Sequence, residues 1–460
     1  MFRSIVNTFS NCFKIPELKS RIVFTVVVLA ICRLTAYIHI PGLDATALNK
    51  AFDEAQRSGN GGPLGLLSAF SGGAIQNCAI GALTIIPYIS ATIIIQLLTA
   101  VVPQLSKMAR EEGGRAKIVQ YGRYLTVLLC IGQGLFTAIG YEHPSAVLGV
   151  NIDRLILYPD SWIWWYRIQT TIVLTTGTML LMWLGEQITD RGIGNGVSLI
   201  ITINILSRLP QAFIGVRDMF MGGGAEARAN YGQAILLIAL LAFVIGGIVL
   251  VTQGQRKIPV TYAQRAVGRK VYAGGTNYMP LRVNYAGVMP VIFAQSILLF
   301  PAKLSMMIGK ALNVKFFTDI ATYLNEGGFL YISMYSVLIL FFSYFWVATQ
   351  FNELQIADDL KKNGGYIPGV RPGQATSDYL HNTMSRITLA GAIFLVIISV
   401  IPIILGHAMH IPWTVSQFFG GTSMLIAVGV MLDTMRQMES HLLMRHYDGF
   451  LKKGRLKGRF

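Results

Sequence analysis

The chain has 460 residues, of which 53% are hydrophobic and 13% charged, and it carries a formal charge of +16. Soluble domains carry about 25% charged residues, so this composition excludes a soluble domain and points to a polytopic membrane protein. Cys12, Cys32, Cys78 and Cys130 show no paired spacing. They read as small apolar packing residues, not as disulfide partners or metal ligands.

The N-terminal stretch MFRSIVNTFSNCFKIPELKS lacks a small-residue cleavage site before the first apolar run, which argues against a removable signal peptide. Apolar runs of spanning length lie near 22–40, 81–102, 124–141, 163–185, 193–213, 233–252, 286–309, 330–350, 387–405 and 418–435. They predict ten transmembrane helices in an all-α integral membrane fold. The run 193–213 carries Asn195, Asn204 and Arg208 and is predicted to face protein.

The stretch before the second span is unusual. Residues 64–80, LGLLSAFSGGAIQNCAI, are too short and too broken to cross a bilayer, yet they run into 81–102 without a charge. Irregular backbone at membrane depth is tolerated only inside protein or along an aqueous cavity. This segment is therefore predicted to sit in a pathway through the membrane.

The connections alternate in charge. Residues 103–123 hold Lys107, Arg110, Arg115, Lys117 and Arg123, and 253–285 hold Arg256, Lys257, Arg265, Arg269, Lys270 and Arg282 with no acid. Residues 351–386 hold Lys361, Lys362, Arg371 and Arg386, and the tail after 436 is again basic. The loops 141–161 and 214–231 are near neutral. The positive-inside rule then predicts cytoplasmic N- and C-termini. Ten spans divide into five and five, residues 1–213 and 214–460, in the manner of an inverted repeat. Within 258–273, IPVTYAQRAVGRKVYA predicts a β-hairpin-like finger, and the Gly- and Pro-rich 363–373 predicts an ordered turn near Arg371. Two long basic loops on one face suggest a docking surface for an acidic partner, either nucleic acid or protein.

The chemistry that is missing narrows the function. No carboxylate falls mid-span: Glu186, Asp190 and Asp433 lie near span ends, and Arg33 is the one clearly embedded charge. It calls for a structural hydrogen bond or a place along a pathway. A proton- or sodium-coupled secondary transporter, the main rival reading, normally needs midplane carboxylates. A third class, an intramembrane enzyme, finds no HExxH motif, membrane aspartate pair or Ser/His arrangement, and no cofactor is predicted. The run 192–196, GIGNG, follows a membrane helix and reads as a tight turn rather than a dinucleotide loop.

Several stretches together resemble the SecY family, channel subunits of the bacterial Sec protein translocon. They are IPGLD at 40–44, FSGGAI at 70–75, PYISATIIIQLLT at 87–99, MWLGEQITDRGIGNG at 182–196, QRKIPVTYAQRAVGRKVY at 255–272, MPVIFAQSILLFP at 289–301, YIPGVRPG at 366–373 and FGGTSMLI at 419–426. The resemblance implies an hourglass pore that conducts unfolded secretory proteins and releases apolar segments sideways into lipid. It implies a plug over 64–80 that includes Ser68, Phe70, Gly72, Gly73 and Ile75. It implies a pore ring of Ile85, Ile89, Val197, Ile201, Ile292 and Ile426, with valine where the family usually has isoleucine. A narrow apolar ring dewets and blocks ions without binding any one sequence.

The lateral gate implied by the resemblance lies between the helices near 81–102 and 121–141 and those near 286–309 and 330–350. Ser90 and Gln96 are placed to hydrogen-bond across it. Arg269, Lys270 and Arg371 match the family's basic docking positions, and Arg256, Lys257 and Arg265 of the same basic loop are assigned to docking with them. The implied partners are the SecE and SecG subunits, the SecA ATPase motor, the ribosome, signal sequences, unfolded preproteins and membrane lipid. The implied location is the bacterial plasma membrane.

Overall fold

The computed structural model describes residues 15–57, 68, 71–111, 113–144, 155–221, 231–262, 265–267, 270–272, 275–312, 315–324, 328–408, 415 and 422–453. The longer helices up to residue 221 are α1 (Pro16–Leu34), α3 (Ile86–Val101), α5 (Gly114–Glu142), α6 (Ile163–Arg191) and the pair α7 (Gly196–Leu206) and α8 (Leu209–Met221), with α2 (Ala45–Arg57) and α4 (Pro103–Arg110) as short connectors. The longer helices from residue 231 on are α9 (Tyr231–Gln253), α10 (Met289–Leu312), α12 (Phe329–Gln350), α14 (Gln374–Ala408) and α15 (Thr422–Lys453), with α11 (Lys315–Tyr323) and α13 (Glu353–Lys362) between them. Among the described residues, six helices are long and apolar enough to cross a membrane, or seven if the bent α3–α4 pair is one span. This is a multi-pass helical membrane architecture.

Local chemistry explains the ends. Pro16 opens α1 with Glu17 in its first turn, where a missing N–H costs nothing and negative charge suits the helix dipole. Asp44 caps α2: its Oδ1 accepts from the Thr46 amide at 2.9 Å, the Ala47 amide at 3.3 Å and the Thr46 hydroxyl at 2.6 Å. Bonding to the Thr46 hydroxyl, and then to the two amides, holds the Asp44 carboxyl below the usual carboxylate range. The α3–α4 bend of 103° falls at Val102, immediately before Pro103. Proline disfavours helical geometry at the residue before it, and Val102 is extended (φ −89°, ψ 113°).

Two helix pairs carry the main packing between the helices up to residue 221 and those from 231 on, α3 against α10 and α7 against α15. Within the halves, α5 packs on α3 and α6, and α12 packs on α10 and α14. Large apolar side chains such as Val26, Leu128, Ile172, Ile238 and Val337 remain exposed on the outer faces of the spans, as lipid contact requires.

The structure differs from the sequence expectation in three places. The second span shortens: 71–85 are turns and α3 starts only at Ile86, while α1 ends at Leu34 instead of running to 40. The fifth span is split at Ser207–Arg208 into α7 and α8. The fold also has more sheet than an all-α label allows. Strand β1 (Gln255–Tyr262) pairs antiparallel with β4 (Thr276–Arg282), placing Gln255 opposite Arg282 and Thr261 opposite Thr276. The tip strands β2 (Arg265–Val267) and β3 (Lys270–Tyr272) pair with each other.

Alternation explains the finger. Ile258 and Val260 point into a small core with Leu281, Val347, Phe351, Ile367, Leu380 and Met384, while Arg256 and Lys257 stay exposed. The predicted turn at 363–373 supplies a third strand, β5 (Gly365–Tyr366), which pairs with Thr261 and Tyr262. The two basic loops are thus one sheet, mounted on the ends of α12 and α14.

Candidate pore and plug

Five of the six residues assigned to the ring, Ile85, Ile89, Ile201, Ile292 and Ile426, belong to one buried apolar cluster, and Val197 packs against it. They come from six places in the chain: the turn before α3, α3 itself, two positions on α7, α10 and α15. Both halves contribute. Ile85, Ile292 and Ile426 are each no more than 2% exposed. Gly185 on α6 lets the cluster close: a Cβ there would lie 3.5 Å from Ile85 Cδ1 and 3.3 Å from Ile200 Cδ1. The six side chains assigned to the ring are all aliphatic, so they hold one another by contact and not by directional bonds.

The segment assigned to the plug is built the opposite way. Of its residues, Ser68 and 71–80 are described; Phe70 and 64–67 lie outside the described residues. It is a chain of tight turns, with Gly73 N–H donating to Ser68 O at 3.0 Å and Ala79 N–H to Ala74 O at 2.8 Å. Gly72 (φ +57°) and Gly73 (φ +89°) occupy the left-handed region that glycine enters without strain. Ala74, Ile75, Gln76 and Ala79 are all buried.

Two embedded arginines hold this segment. Arg33, on α1, donates from Nη2 to Gly72 O at 2.8 Å and lies over the Tyr37 ring at 5.2 Å. Arg208, at the break between α7 and α8, donates from Nη2 to Gln76 Oε1 at 2.8 Å and also to the Ser68 hydroxyl. Tyr141 on α5 adds a bond to Ile75 O at 3.3 Å, and Asn77 reaches Ala36 O at 3.0 Å while accepting from Asn49. Four helices therefore converge on some ten residues. A charge buried in a membrane protein needs satisfied donors; the carbonyls and amide of this segment take up the Nη2 donors of both arginines, while Arg33 Nη1 is buried without a partner among the described residues.

Sequence reasoning singled out Arg33 as needing a partner but used Arg208 only to turn the run 193–213 toward protein. The signal was present: a second cation in an apolar run, beside a segment whose glycines leave carbonyls unshielded. Tyr141 carried no such signal.

Gln96, on α3, is half-buried and its Oε1 has no hydrogen-bond partner among the described residues. The bond expected across the seam is absent at that atom. Ser90 lies on α3, half-buried. Of the docking residues, Arg256 and Lys257 are exposed on β1 and Arg371 is exposed in the turn after β5. Arg265 and Lys270 sit on β2 and β3 with undescribed side chains, and Arg269 lies outside the described residues.

An apolar cluster gathered from α3, α7, α10 and α15 of a multi-pass helical protein, with a turn-rich segment leading into α3, defines a channel-type membrane protein. The sequence model of SecY matches residues 79–435. The protein translocase subunit SecY of Chlamydia trachomatis is 43% identical over 460 residues, covering 98% of this chain and 99% of that protein. The chain belongs to the SecY family.

Solved structures agree at the level of fold. One, titled for the plug domain of the SecY protein stabilising the closed state of the translocation channel and maintaining a membrane seal, superposes with a TM-score of 0.59 at 18% identity, over 97% of this chain and 98% of that one. Another, Sec61 in the canine ribosome–channel complex, gives 0.60 at 17% identity over the same shares.

Proposed function

We propose that this chain is the protein-conducting channel of a Sec-type translocon. It carries unfolded secretory proteins across the bacterial plasma membrane and releases apolar segments through a lateral gate. The observation that carries the reading is the single apolar cluster joining Ile85, Ile89, Ile201, Ile292 and Ile426, with Val197 against it. Apolar side chains from both halves make a seal that ions cross only by wetting it, and that an extended chain of any sequence can push apart. The Ser68–Ile80 region is the stopper, and the α3–α10 seam is part of the gate. Ten spans, with both termini in the cytoplasm, put the sheet on the cytoplasmic side.

The exposed basic residues Arg256, Lys257 and Arg371 then form a docking face for the SecA motor and the ribosome; the ribosome-bound Sec61 neighbour supports the second partner. SecE and SecG complete the complex. A solute transporter is disfavoured, because the centre of the bundle holds isoleucines where a transporter holds a polar site.

A photoreactive residue at Ile426, in complexes carrying a preprotein arrested in transit, tests this reading. Crosslinking to the arrested chain is expected. Labelling only by lipid or by neighbouring helices would overturn it.

A further inference from the structure

We infer that the Gly192–Gly196 turn is a positioning device for the seal, with Thr25 and Gln437 as its positioning residues. The inference rests on reading Val197 and Ile201 as part of the constriction, because the turn leads directly into α7, which carries both.

Connections between helices usually satisfy their amides with their own backbone or with water. This one borrows side chains from three helices. Ile193 N–H donates to Thr25 Oγ1 of α1 at 3.0 Å. Gly194 N–H donates to Gln437 Oε1 of α15 at 2.9 Å. Gly196 N–H donates to Thr189 Oγ1 of α6 at 2.9 Å. The Thr25 hydroxyl gives its own proton to Arg21 O at 2.9 Å, which leaves its lone pair for Ile193.

The turn is also fixed by contact. A Cβ at Gly196 would lie 1.9 Å from Gly185 O, and one at Gly192 would lie 2.5 Å from Thr25 Oγ1. Gly194 sits at φ +90°. The segment cannot slide along its neighbours without breaking these bonds.

Gln437 matters because of what it joins. It stands on the last helix of the second half and holds a turn of the first. The residue before it, Arg436, donates to Thr252 O near the end of α9. Neighbouring residues of α15 therefore grip one half each. The α7–α15 seam is cross-tied in this way, whereas Gln96 on α3 leaves its Oε1 unpartnered among the described residues. The start of α7, and with it Val197 and Ile201, is placed relative to α15, which carries Ile426, by the Gln437 acceptor and relative to α1 by the Thr25 acceptor.

The test uses the complete translocon in planar bilayers and reads resting ion conductance. Thr25→Val and Gln437→Met remove an acceptor at nearly constant volume; Thr25→Ser and Gln437→Glu keep one. The two acceptor-deleting variants are expected to raise resting conductance about fivefold, the population change that one hydrogen bond of about 1 kcal/mol supports. The acceptor-keeping variants are expected to match the parent.

Hydrogen exchange over 192–197 is expected to quicken in Gln437→Met and not in Gln437→Glu. Ile201→Asn serves as the control for the seal. If Ile201→Asn leaks and the acceptor deletions do not, or if Gln437→Glu behaves as Gln437→Met, the positioning role is wrong and the seal stands. If Ile201→Asn does not leak, both fall.

Discussion

The apolar cluster around Ile85, Ile201, Ile292 and Ile426 and the turn segment around Ser68–Ile80 lie side by side but are built from different interactions. The cluster uses area. The six side chains assigned to its ring are branched aliphatics of one kind, packed by contact. The neighbouring segment uses direction. Arg33, Arg208, Tyr141 and Asn77 each reach a particular carbonyl, hydroxyl or amide.

A closure that must deform around chains of any sequence is well served by contacts that reform anywhere. A stopper that must return to one place is well served by bonds that form in one place only. The two also differ in how they fail. A contact seal weakens gradually with shape, whereas a bonded mount loses a discrete step with each donor.

The largest test of that contrast is Arg208. It bonds the segment at Gln76 and at Ser68, and bonds from a charged donor contribute about 1.5–3 kcal/mol each. Arg208→Met is expected to lower the occupancy of the closed position on the order of a hundredfold, the equivalent of about 3 kcal/mol. Arg208→Lys should recover little of this, since a lysine lacks the fork that serves two acceptors at once. The measurement is the labelling rate of a Ser71→Cys reporter, at a position buried in this structure, by a membrane-impermeant maleimide. Equal rates in Arg208→Lys and the parent would show that charge suffices and direction does not matter.

A smaller effect is expected at the seal. Ile201→Leu keeps volume and apolarity and costs less than about 1.5 kcal/mol, so resting conductance should stay near the parent value. Ile201→Asn places an amide in the cluster at a cost of about 1–3 kcal/mol and gives water a foothold. A rise in conductance of about tenfold is expected, read in the same planar bilayers. If Ile201→Leu leaks as much as Ile201→Asn, the cluster depends on exact shape, and the contrast with the stopper disappears.

The legibility of these parts in the sequence follows the same division. Area is written locally: runs of isoleucine, leucine and valine of spanning length mark the helices, and alternation at Ile258 and Val260 marks the finger. Family motifs carried the ring, whose residues are otherwise indistinguishable from lipid-facing ones.

Direction is not written locally. Nothing near Arg208 says that its partners are Ser68 and Gln76, 140 and 132 positions away. The early end of α1 and the late start of α3 were hidden for a related reason. Residues 35–40 and 76–85 are apolar enough to extend a helix, but they bond to each other, with Ile40 N–H donating to Cys78 O at 2.8 Å and Ile80 N–H to Ile38 O at 2.9 Å. Tertiary pairing overrides the helical pattern there. The third strand at Gly365–Tyr366 was invisible because its pairing partner lies in another loop.

The smallest expected effect lies at Gln96 on α3, assigned to the lateral gate, where a polar residue should have behaved like the stopper and does not. Gln96 Oε1 is buried without a partner among the described residues, so it bears a desolvation cost that a hydrogen bond would offset. Gln96→Leu removes that cost at similar volume. The closed seam should gain about 1 kcal/mol, and transport of a preprotein with a weakly apolar signal sequence should slow about fivefold. A strongly apolar signal has energy to spare and should be little affected. Initial rates into reconstituted vesicles for the two signals separate the cases. Faster transport of the weak signal in Gln96→Leu would mean that Gln96 does hold the seam shut, through water or a partner subunit. The seam would then belong with the bonded stopper and not with the contact seal.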